Sequence, residues 1–345
     1  MGFTLYYLCI ITGGYMLAKC VKVPKAEGEA TRRALIESEV IDHRLKIRSD
    51  ETYVYLPVIP DLSGDILAKI APSLIMIECE FEENERSKSI EDMLGYSPSF
   101  EVIGDIAVVA EEYEVKVGQA IMEVHKNVRT VLVPMTPVVG EFRVRHYRVL
   151  CGEDRTTTTY REHGFVYEMD LDKVYFSPRL STERKRVTDQ ATDMELVLDM
   201  FAGVGPFSIP ISKKAMYTIA VDKNPSAFEY LQKNIALNKA TRIEAVNADA
   251  RDVQLPQPPD RIIMNLPHSA HEFLDVAFKL INVGGVIHYY DIRPESEIFD
   301  VVVKMVRAKA SESRCLIDIM NKRIVRSYSP HEYNIVLDIR VVGKN

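Results

Sequence analysis

The sequence predicts an α/β protein in which a doubly wound parallel sheet at the carboxyl end follows two smaller α+β domains. Three observations predict it. From about Val174 onward apolar strands alternate with amphipathic helices. The segment LVLDMF (196–201) is an unbroken apolar run, as expected of a strand buried on both faces. Before Val174, short period-two strands cluster around isolated helical patches instead. A chain of 345 residues predicts two or three domains. With 47% hydrophobic and 27% charged residues it is neither disordered, collagen-like nor a disulfide miniprotein. It lacks an apolar run of about 18 residues, so no membrane span is expected.

Taken in order, residues 1–15 are apolar and Tyr-rich (LYYLCIITGGY) without the basic region or small-residue cleavage site of a secretion signal. They read as an extension, with translation expected to start at Met16; the alternative is an extra edge strand. Residues 16–77 form a small α+β domain: a strand at Cys20–Val23, a helix over Glu27–Glu39, alternating strands at Arg44–Ile47 and Thr52–Ile59, a short helix from Gly64 to Ala71, and the strand LIMIECEF. Residues 78–97 read as an acidic, solvated linker. Residues 98–173 form a second α+β domain, with a helix over Val115–Lys126 and strands in SPSFEVIGDIAVVA, VRTVLVPM, EFRVRHYRVL and TTTTYREHGFVYEMDL.

From 174 to 345 the order is LVLDMF, a helix opened by Pro206, YTIAVD, a helix over Pro225–Leu237, RIEAVNAD, RIIMNLP, GGVIHYYDI, a helix in EIFDVVVKMVRAKA, and a final hairpin of CLIDIMNKRIVRSYS with YNIVLDIRVV. A parallel sheet that ends in such a hairpin is the class I, Rossmann-like methyltransferase variant of the nucleotide-binding fold rather than the dehydrogenase one.

The net charge of −7 argues against a polyanion partner only on average. Between Glu78 and Asp92 seven acids meet only Arg86 and Lys88, so one segment carries −5 of it. By contrast Arg143, Arg145, Arg148, Arg155, Arg161, Lys173, Arg179, Arg184, Lys185 and Arg186 concentrate positive charge where RNA could bind; the plainer reading is a solvated face. The five cysteines are odd in number, scattered and never spaced C-x-x-C, which fits a reducing cytoplasm and argues against a structural zinc.

The candidate cofactor residues sit at successive strand ends. Asp199, Gly203, Val204, Gly205 and Pro206 form a tight turn after the first strand, where glycines let backbone approach a ligand. Ser208 replaces the third glycine of the dinucleotide fingerprint, and Pro206 removes an amide that would cradle a pyrophosphate, so NAD is disfavoured. Asp222 ends the second strand and can accept both hydroxyls of an adenosine ribose; Asn247–Ala248–Asp249 ends the third, where an adenine amino group could bind. Each acid alone could be a helix cap. S-adenosylmethionine, which has no phosphate and carries a sulfonium, suits the set best. After the fourth strand, Asn265–Leu266–Pro267 lies where a transferable methyl should be. His268 and His271 are three apart, but no third ligand accompanies them, so no metal is expected.

The segments YFSPRLSTERKRV, LDMFAGVGPFSI, IIMNLPHSAHEFLD, GGVIHYY and RIVRSYSPHEY, preceded by GEFRVR and by the EATRRALIE helix, together resemble the archaeal and eukaryotic tRNA (guanine-N1-)-methyltransferases that modify guanosine 37. The resemblance covers nearly the whole chain from Met16. It implies a three-domain, monomeric enzyme whose N-terminal domain checks the tRNA elbow while the middle and C-terminal domains bind the anticodon stem-loop and do the chemistry. Guanine N1 carries a proton at neutral pH, so a general base is required; Glu183 matches the family's base, the alternative being a first-turn helix acid. Negative charge then develops on O6 and calls for a positioned cation, which Arg145 matches; a phosphate contact is the other reading. Tyr175 and Asn265 are expected to position the flipped base. Phe201, Gly203, Gly205, Asp222, Asp249, Asn265 and Pro267 are assigned to the cofactor, and Arg143, Arg145, Arg155, Arg179, Arg184 and Arg186 to the RNA. The competing readings are a wybutosine-pathway transferase that moves an aminocarboxypropyl group or methylates a tricyclic intermediate at the same position, and a non-catalytic tRNA-binding protein.

Overall fold

The computed structural model describes residues 15–62, 64, 67, 74–84, 89–110, 113–136 and 144–345. Two compact units divide the chain, Met1–Ser89 and Ile90–Asn345. In the first, β1 (Tyr15–Pro24) lies between β3 (Tyr53–Pro57) and β4 (Ile75–Glu82), both antiparallel to it, with β2 (Arg48–Ser49) outside β3. The helix α1 (Gly28–Glu37) seats Leu35 against Val21, Val23 and Leu56, while Cys20, Leu45, Tyr55 and Phe81 form a second cluster.

Two expectations are corrected here. The acidic run does not begin a linker at Glu78: Glu78, Glu80 and Glu82 are the exposed positions of β4, and Phe81 between them is buried. A strand with one face on the core and one in solvent needs only alternate residues apolar, so acids at every second position suit it. The segment Arg44–Ile47 is not a strand, because only Leu45 bridges, to Glu83. The helix expected over Gly64–Ala71 and residues 1–14 lie mostly or wholly outside the described residues.

The second unit starts with α2 (Ile90–Leu94), which packs on α3 (Val115–Val124) under a four-stranded sheet of order β5 (Phe100–Ile103), β6 (Ile106–Val109), β7 (Thr130–Pro134) and β8 (Tyr147–Gly152). The middle fold therefore begins at Ile90 rather than at residue 98: Ile90 and Leu94 are apolar at helical spacing inside the acidic stretch, and they contribute to its core. β9 (Thr157–Glu162) and β10 (Phe165–Asp170) form a separate hairpin.

The seven-stranded sheet has the order β13–β12–β11–β14–β15–β17–β16, built from β11 (Leu196–Asp199), β12 (Tyr217–Asp222), β13 (Ile243–Asn247), β14 (Arg261–Met264), β15 (Val286–Pro294), β16 (Cys315–Ser329) and β17 (Glu332–Lys344). β11 is parallel to β12 and β14, and every residue of β11 and β14 is buried, the charged Asp199 and Arg261 together with the apolar residues that make up the rest. β17 inserts antiparallel between β15 and β16. Helices α4 (Ser181–Gln190), α5 (Ser208–Ser212), α6 (Pro225–Leu237), α7 (Leu274–Leu280) and α8 (Asp300–Glu312) cover the two faces. The third of these starts as the sequence predicts, with Pro225 in its first turn and the Asn224 side chain accepting from Ser226 N (3.0 Å). Chain order reverses between β11 and β14, the position at which open α/β sheets leave a crevice at their carboxyl edge.

The β9–β10 hairpin is fastened to α6 by two asparagines one helical turn apart. Asn238 Oδ1 accepts from Val166 N (2.9 Å) and its amide donates to Val166 O (2.6 Å); Asn234 does the same for Glu168 N (2.8 Å) and O (3.0 Å). Residues i and i+2 of a strand and i and i+4 of a helix are both about 6–7 Å apart. The helix thus presents its amides in the spacing of a neighbouring strand and satisfies the free edge of β10.

Candidate active site

After Asp199 the chain turns through Gly203 (φ +56°) and Gly205 (φ +93°) before α5. Gly203 N donates to Asp222 Oδ2 (2.7 Å) and Asn224 N to Asp222 Oδ1 (2.8 Å), so two backbone amides hold one carboxylate between the ends of β11 and β12. Burial pushes the Asp222 carboxyl above its usual range. A cavity of about 350 Å³ opens beside it, lined by Phe201, Ala248, Asp249, Leu266 and Phe273. Phe201 meets Phe273 edge-on at 4.9 Å, giving this cavity an apolar wall suited to a flat heterocycle. Asp249 is partly occupied: Oδ1 accepts from Arg251 N (3.0 Å) and Oδ2 lies 3.2 Å from Lys223 Nζ.

Gly205 does not line the cleft. A Cβ there would come within 2.7 Å of Ile209 and Leu231, so this glycine serves the packing of the turn on α6 and not a ligand. Asn247 likewise points back, donating to Asp222 O (2.9 Å).

Past Phe201 and Leu266 the cleft continues between Asn265, Pro267, Tyr175, Arg326, Tyr328 and Asn334. It then widens into a second cavity of about 370 Å³ lined by Arg145, Tyr147, Tyr175, Arg179, Arg326 and Tyr328. Four buried side-chain atoms along this passage have no hydrogen-bond partner among the described residues: Arg145 Nε, Asn265 Oδ1, Arg326 Nε and Asn334 Oδ1. Buried polar atoms are nearly always paired, so a cluster of orphans marks a surface shaped for a polar ligand. Tyr175, 46% exposed, stands where the two parts of the passage meet.

Glu183 is not among the residues that line this passage. It is 3% exposed and accepts from Arg186 Nε (2.9 Å) and Nη2 (2.7 Å) and from the Tyr290 hydroxyl (2.8 Å). Arg186 also donates to Asp338 (2.7 Å), which receives His288 Nδ1 (2.6 Å). Arg261, always charged, donates to His288 Nε2 (2.6 Å), which makes that nitrogen an acceptor and keeps the imidazole neutral; burial lowers its pKa accordingly.

The six arginines assigned to RNA separate into three groups. Arg143 lies outside the described residues. Arg145 and Arg179 reach the second cavity, Arg179 with its Nε on Glu101 (2.7 Å). The other three are each paired with carboxylates, Arg184 and Arg186 withdrawn from solvent, where a guanidinium requires such a partner, and Arg155 partly exposed. Arg155 is held by Asp105 and Glu153. Arg184, 2% exposed, is forked onto Glu162 and donates to Ser177 O (3.0 Å). Arg186 belongs to the Glu183–Asp338 network. Charge density along the sequence did not distinguish them. Arg326, Tyr328 and Asn334 were missed as site residues: they lie inside RIVRSYSPHEY and just after it, but only the folding of β16 and β17 against β15 brings them to the cleft. Of the two histidines, His268 Nε2 lies 3.3 Å from the Tyr328 hydroxyl.

This fold and cleft define an S-adenosylmethionine-type methyltransferase architecture, and the chain belongs to the TRM5/TYW2 methyltransferase family. The TRM5/TYW2 methyltransferase domain matches residues 158–318, the tRNA methyltransferase 5 N-terminal domain residues 20–66, and the TYW2 N-terminal domain residues 86–156. The chain is 41% identical to the tRNA (guanine(37)-N(1))-methyltransferase Trm5b of Pyrococcus abyssi, over 93% of this chain and 98% of that one. Its identity to the enzyme of the same name from Methanocaldococcus jannaschii is 38%, over 94% and 99%. The tRNA(Phe) (4-demethylwyosine(37)-C(7)) aminocarboxypropyltransferase of M. jannaschii is 33% identical over 70% of this chain and 97% of its own. Among solved structures, that of Pyrococcus abyssi Trm5b superposes with a TM-score of 0.75 at 40% identity, covering 94% of this chain and all of that one. The complex of aTrm5 with tRNALeu does so at 0.70 and 36%, covering 93% and 99%. M. jannaschii TYW2 bound to AdoMet does so at 0.57 and 28%, covering 70% and all of that chain.

Residues at the cleft fit that cofactor. The Asp222 carboxylate accepts from two amides and keeps lone pairs for a ribose diol. Pro206 removes a phosphate-binding amide, and the acids Asp222 and Asp249 suit a cation better than a pyrophosphate.

Proposed function

We propose that this protein transfers a methyl group from S-adenosylmethionine to N1 of guanosine 37 in tRNA. The observation that carries the reading is the extent of the likeness. The guanine-N1 enzymes of P. abyssi and M. jannaschii match this chain over 93–94% of its length, whereas the aminocarboxypropyltransferase matches 70% of it while using 97% of its own. The cleft has the two unlike ends that the reaction needs, an acid-lined pocket and an arginine- and tyrosine-lined cavity, joined by a passage that Asn265, Asn334 and Tyr175 line.

Phe201, Gly203, Asp222, Asp249 and Pro267 hold the cofactor, which supplies an electrophilic methyl on its sulfonium. Tyr175 and Asn265 receive the flipped guanine, which must leave its stack to be reached. Glu183 takes the N1 proton. Its oxygens already accept from Arg186 and Tyr290, so it acts by turning away from Arg186, which remains paired with Asp338. Arg145 offers its unpartnered Nε to the charge that builds on O6. The N-terminal unit reads the tRNA elbow and the second unit the anticodon stem-loop, and the protein works as a cytoplasmic monomer. Among the described residues no helix is long and apolar enough to cross a membrane.

The test is mass spectrometry of nucleosides from unmodified tRNA transcripts carrying guanosine or adenosine at position 37, incubated with protein and S-adenosylmethionine. N1-methylguanosine is expected only with guanosine 37. An aminocarboxypropyl adduct, or tight binding with no product, overturns the reading.

A further inference from the structure

Of the four orphan atoms in the substrate passage, two are acceptors, Asn265 Oδ1 and Asn334 Oδ1, and two are donors, Arg145 Nε and Arg326 Nε. The reaction chemistry accounts for Asn265 and Arg145. It leaves Arg326 and Asn334 unexplained, and Asn334 is 2% exposed.

Its place in the sheet is defined on both sides. On β17 it pairs with Ile292 of β15 and with Arg326 of β16. Ile292 N donates in turn to Pro267 O (3.2 Å), so Asn334 stands in a row that begins at the Asn265–Leu266–Pro267 turn. A bulge between Ile324 and Arg326 sets two residues of β16 against one of β17, the local distortion that re-aims a side chain at a site. Two residues further along the same face of β17 the position is apolar, Val336, packed among Val187, Phe207 and Tyr290. An asparagine in a strand interior is disfavoured, and burying its oxygen without a partner adds to the cost. No group among the described residues repays that cost, and a ligand donor accounts for the residue.

The reading above supplies a ligand with the right donor, and the inference rests on that reading. Guanine places the 2-amino donor next to N1–H on its pairing edge and the O6 acceptor on the other side of N1. Adenine has no group at C2 and an acceptor at N1. Two buried acceptors match the two adjacent donor groups on guanine's pairing edge, N1–H and the 2-amino group, whereas adenine carries a single donor group on that edge. We infer that the Asn334 side-chain oxygen accepts a hydrogen bond from the exocyclic 2-amino group of the target guanine, and that Asn334 is a specificity-determining residue of the reaction.

Inosine differs from guanosine only in lacking that amino group, so it isolates the contact. Single-turnover methylation would be measured for full-length protein and for Asn334→Ala on otherwise identical tRNA transcripts with guanosine or inosine at position 37. The unaltered protein should prefer guanosine by about 10- to 100-fold. Asn334→Ala should lose about that factor on guanosine and little on inosine, so that the preference collapses. Equal losses on both substrates make Asn334 a structural residue and overturn the inference, as does an unchanged preference. If the variant does not fold, the unaltered protein still decides: equal rates on guanosine and inosine overturn the proposal. Failure to methylate guanosine 37 at all is a separate result and removes the underlying reading instead.

Discussion

At the scale of single residues, the sharpest demand falls on Glu183. Its carboxylate is buried and held by Arg186 and Tyr290, so its role as base separates from a structural role by what else changes on substitution. Glu183→Gln should lower the single-turnover rate by roughly two to four orders of magnitude with cofactor affinity unchanged. Near-normal turnover removes it as the base; a parallel loss of cofactor affinity and melting temperature makes it a partner of Arg186 only. Arg145 offers a similar contrast. If it meets O6, Arg145→Ala depresses the rate more than tRNA affinity, at every salt concentration. A loss confined to affinity, and steeper at low salt, identifies a phosphate anchor.

At the scale of elements, two features have consequences that stability measurements can check. The β9–β10 hairpin is held by Asn234 and Asn238 in place of a neighbouring strand. Removing either amide leaves a buried backbone pair unsatisfied, so Asn234→Ala should cost about 1–3 kcal/mol. In hydrogen exchange the Glu168 amide should lose protection before the β11 amides do; unchanged protection would mean that the clamp holds little. The glycine turn divides similarly. Gly205→Ala forces a Cβ into Ile209 and Leu231 at positive φ, so it should lower stability by about 1–3 kcal/mol while cofactor affinity per folded molecule stays the same. A selective loss of cofactor affinity would return Gly205 to the binding site.

At the scale of the whole molecule, folding free energy should carry the signature of Asp199. It is buried at the end of β11 with the Ser208 hydroxyl donating to it (2.5 Å), and burial pushes its carboxyl up to about 7. A carboxyl whose folded pKa is raised contributes stability that is complete below its unfolded value near 4 and is lost as pH rises toward 7. Asp199→Asn should therefore gain on the unaltered protein across that window, with a slope approaching ~1.4 kcal/mol per pH unit, and run parallel to it above pH 7. His288 pulls the other way: with its pKa lowered, its contribution is complete above about 6.5 and falls as pH falls below that, because the unfolded chain takes up a proton that the buried ring refuses. Urea midpoints from pH 4.5 to 8 for both proteins check the first effect, and a flat difference between them excludes it.

What the sequence by itself determined is what depends on local pattern. The unbroken apolar run of β11, the proline-led helix α6, the hairpin at the end and the acids at the ends of β12 and β13 all follow from spacing along the chain, because strand and helix periods are local properties. The resemblance carried by GEFRVR, YFSPRLSTERKRV and IIMNLPHSAHEFLD belongs to the same level. Only the tertiary structure decided which charges are free to meet a substrate. Arg184 and Arg186 look the same in sequence as Arg145. Their distant carboxylate partners, Glu162 and Asp338, lie 22 and 152 residues away, so only the folded chain shows that both guanidinium groups are withdrawn from solvent and held there. The orphan oxygen of Asn334 is the converse case. A polar residue in a strand gives no local signal, and its meaning comes from β15, β16 and the β14 turn converging on one cleft, where a buried polar group without a partner costs too much to be there without use.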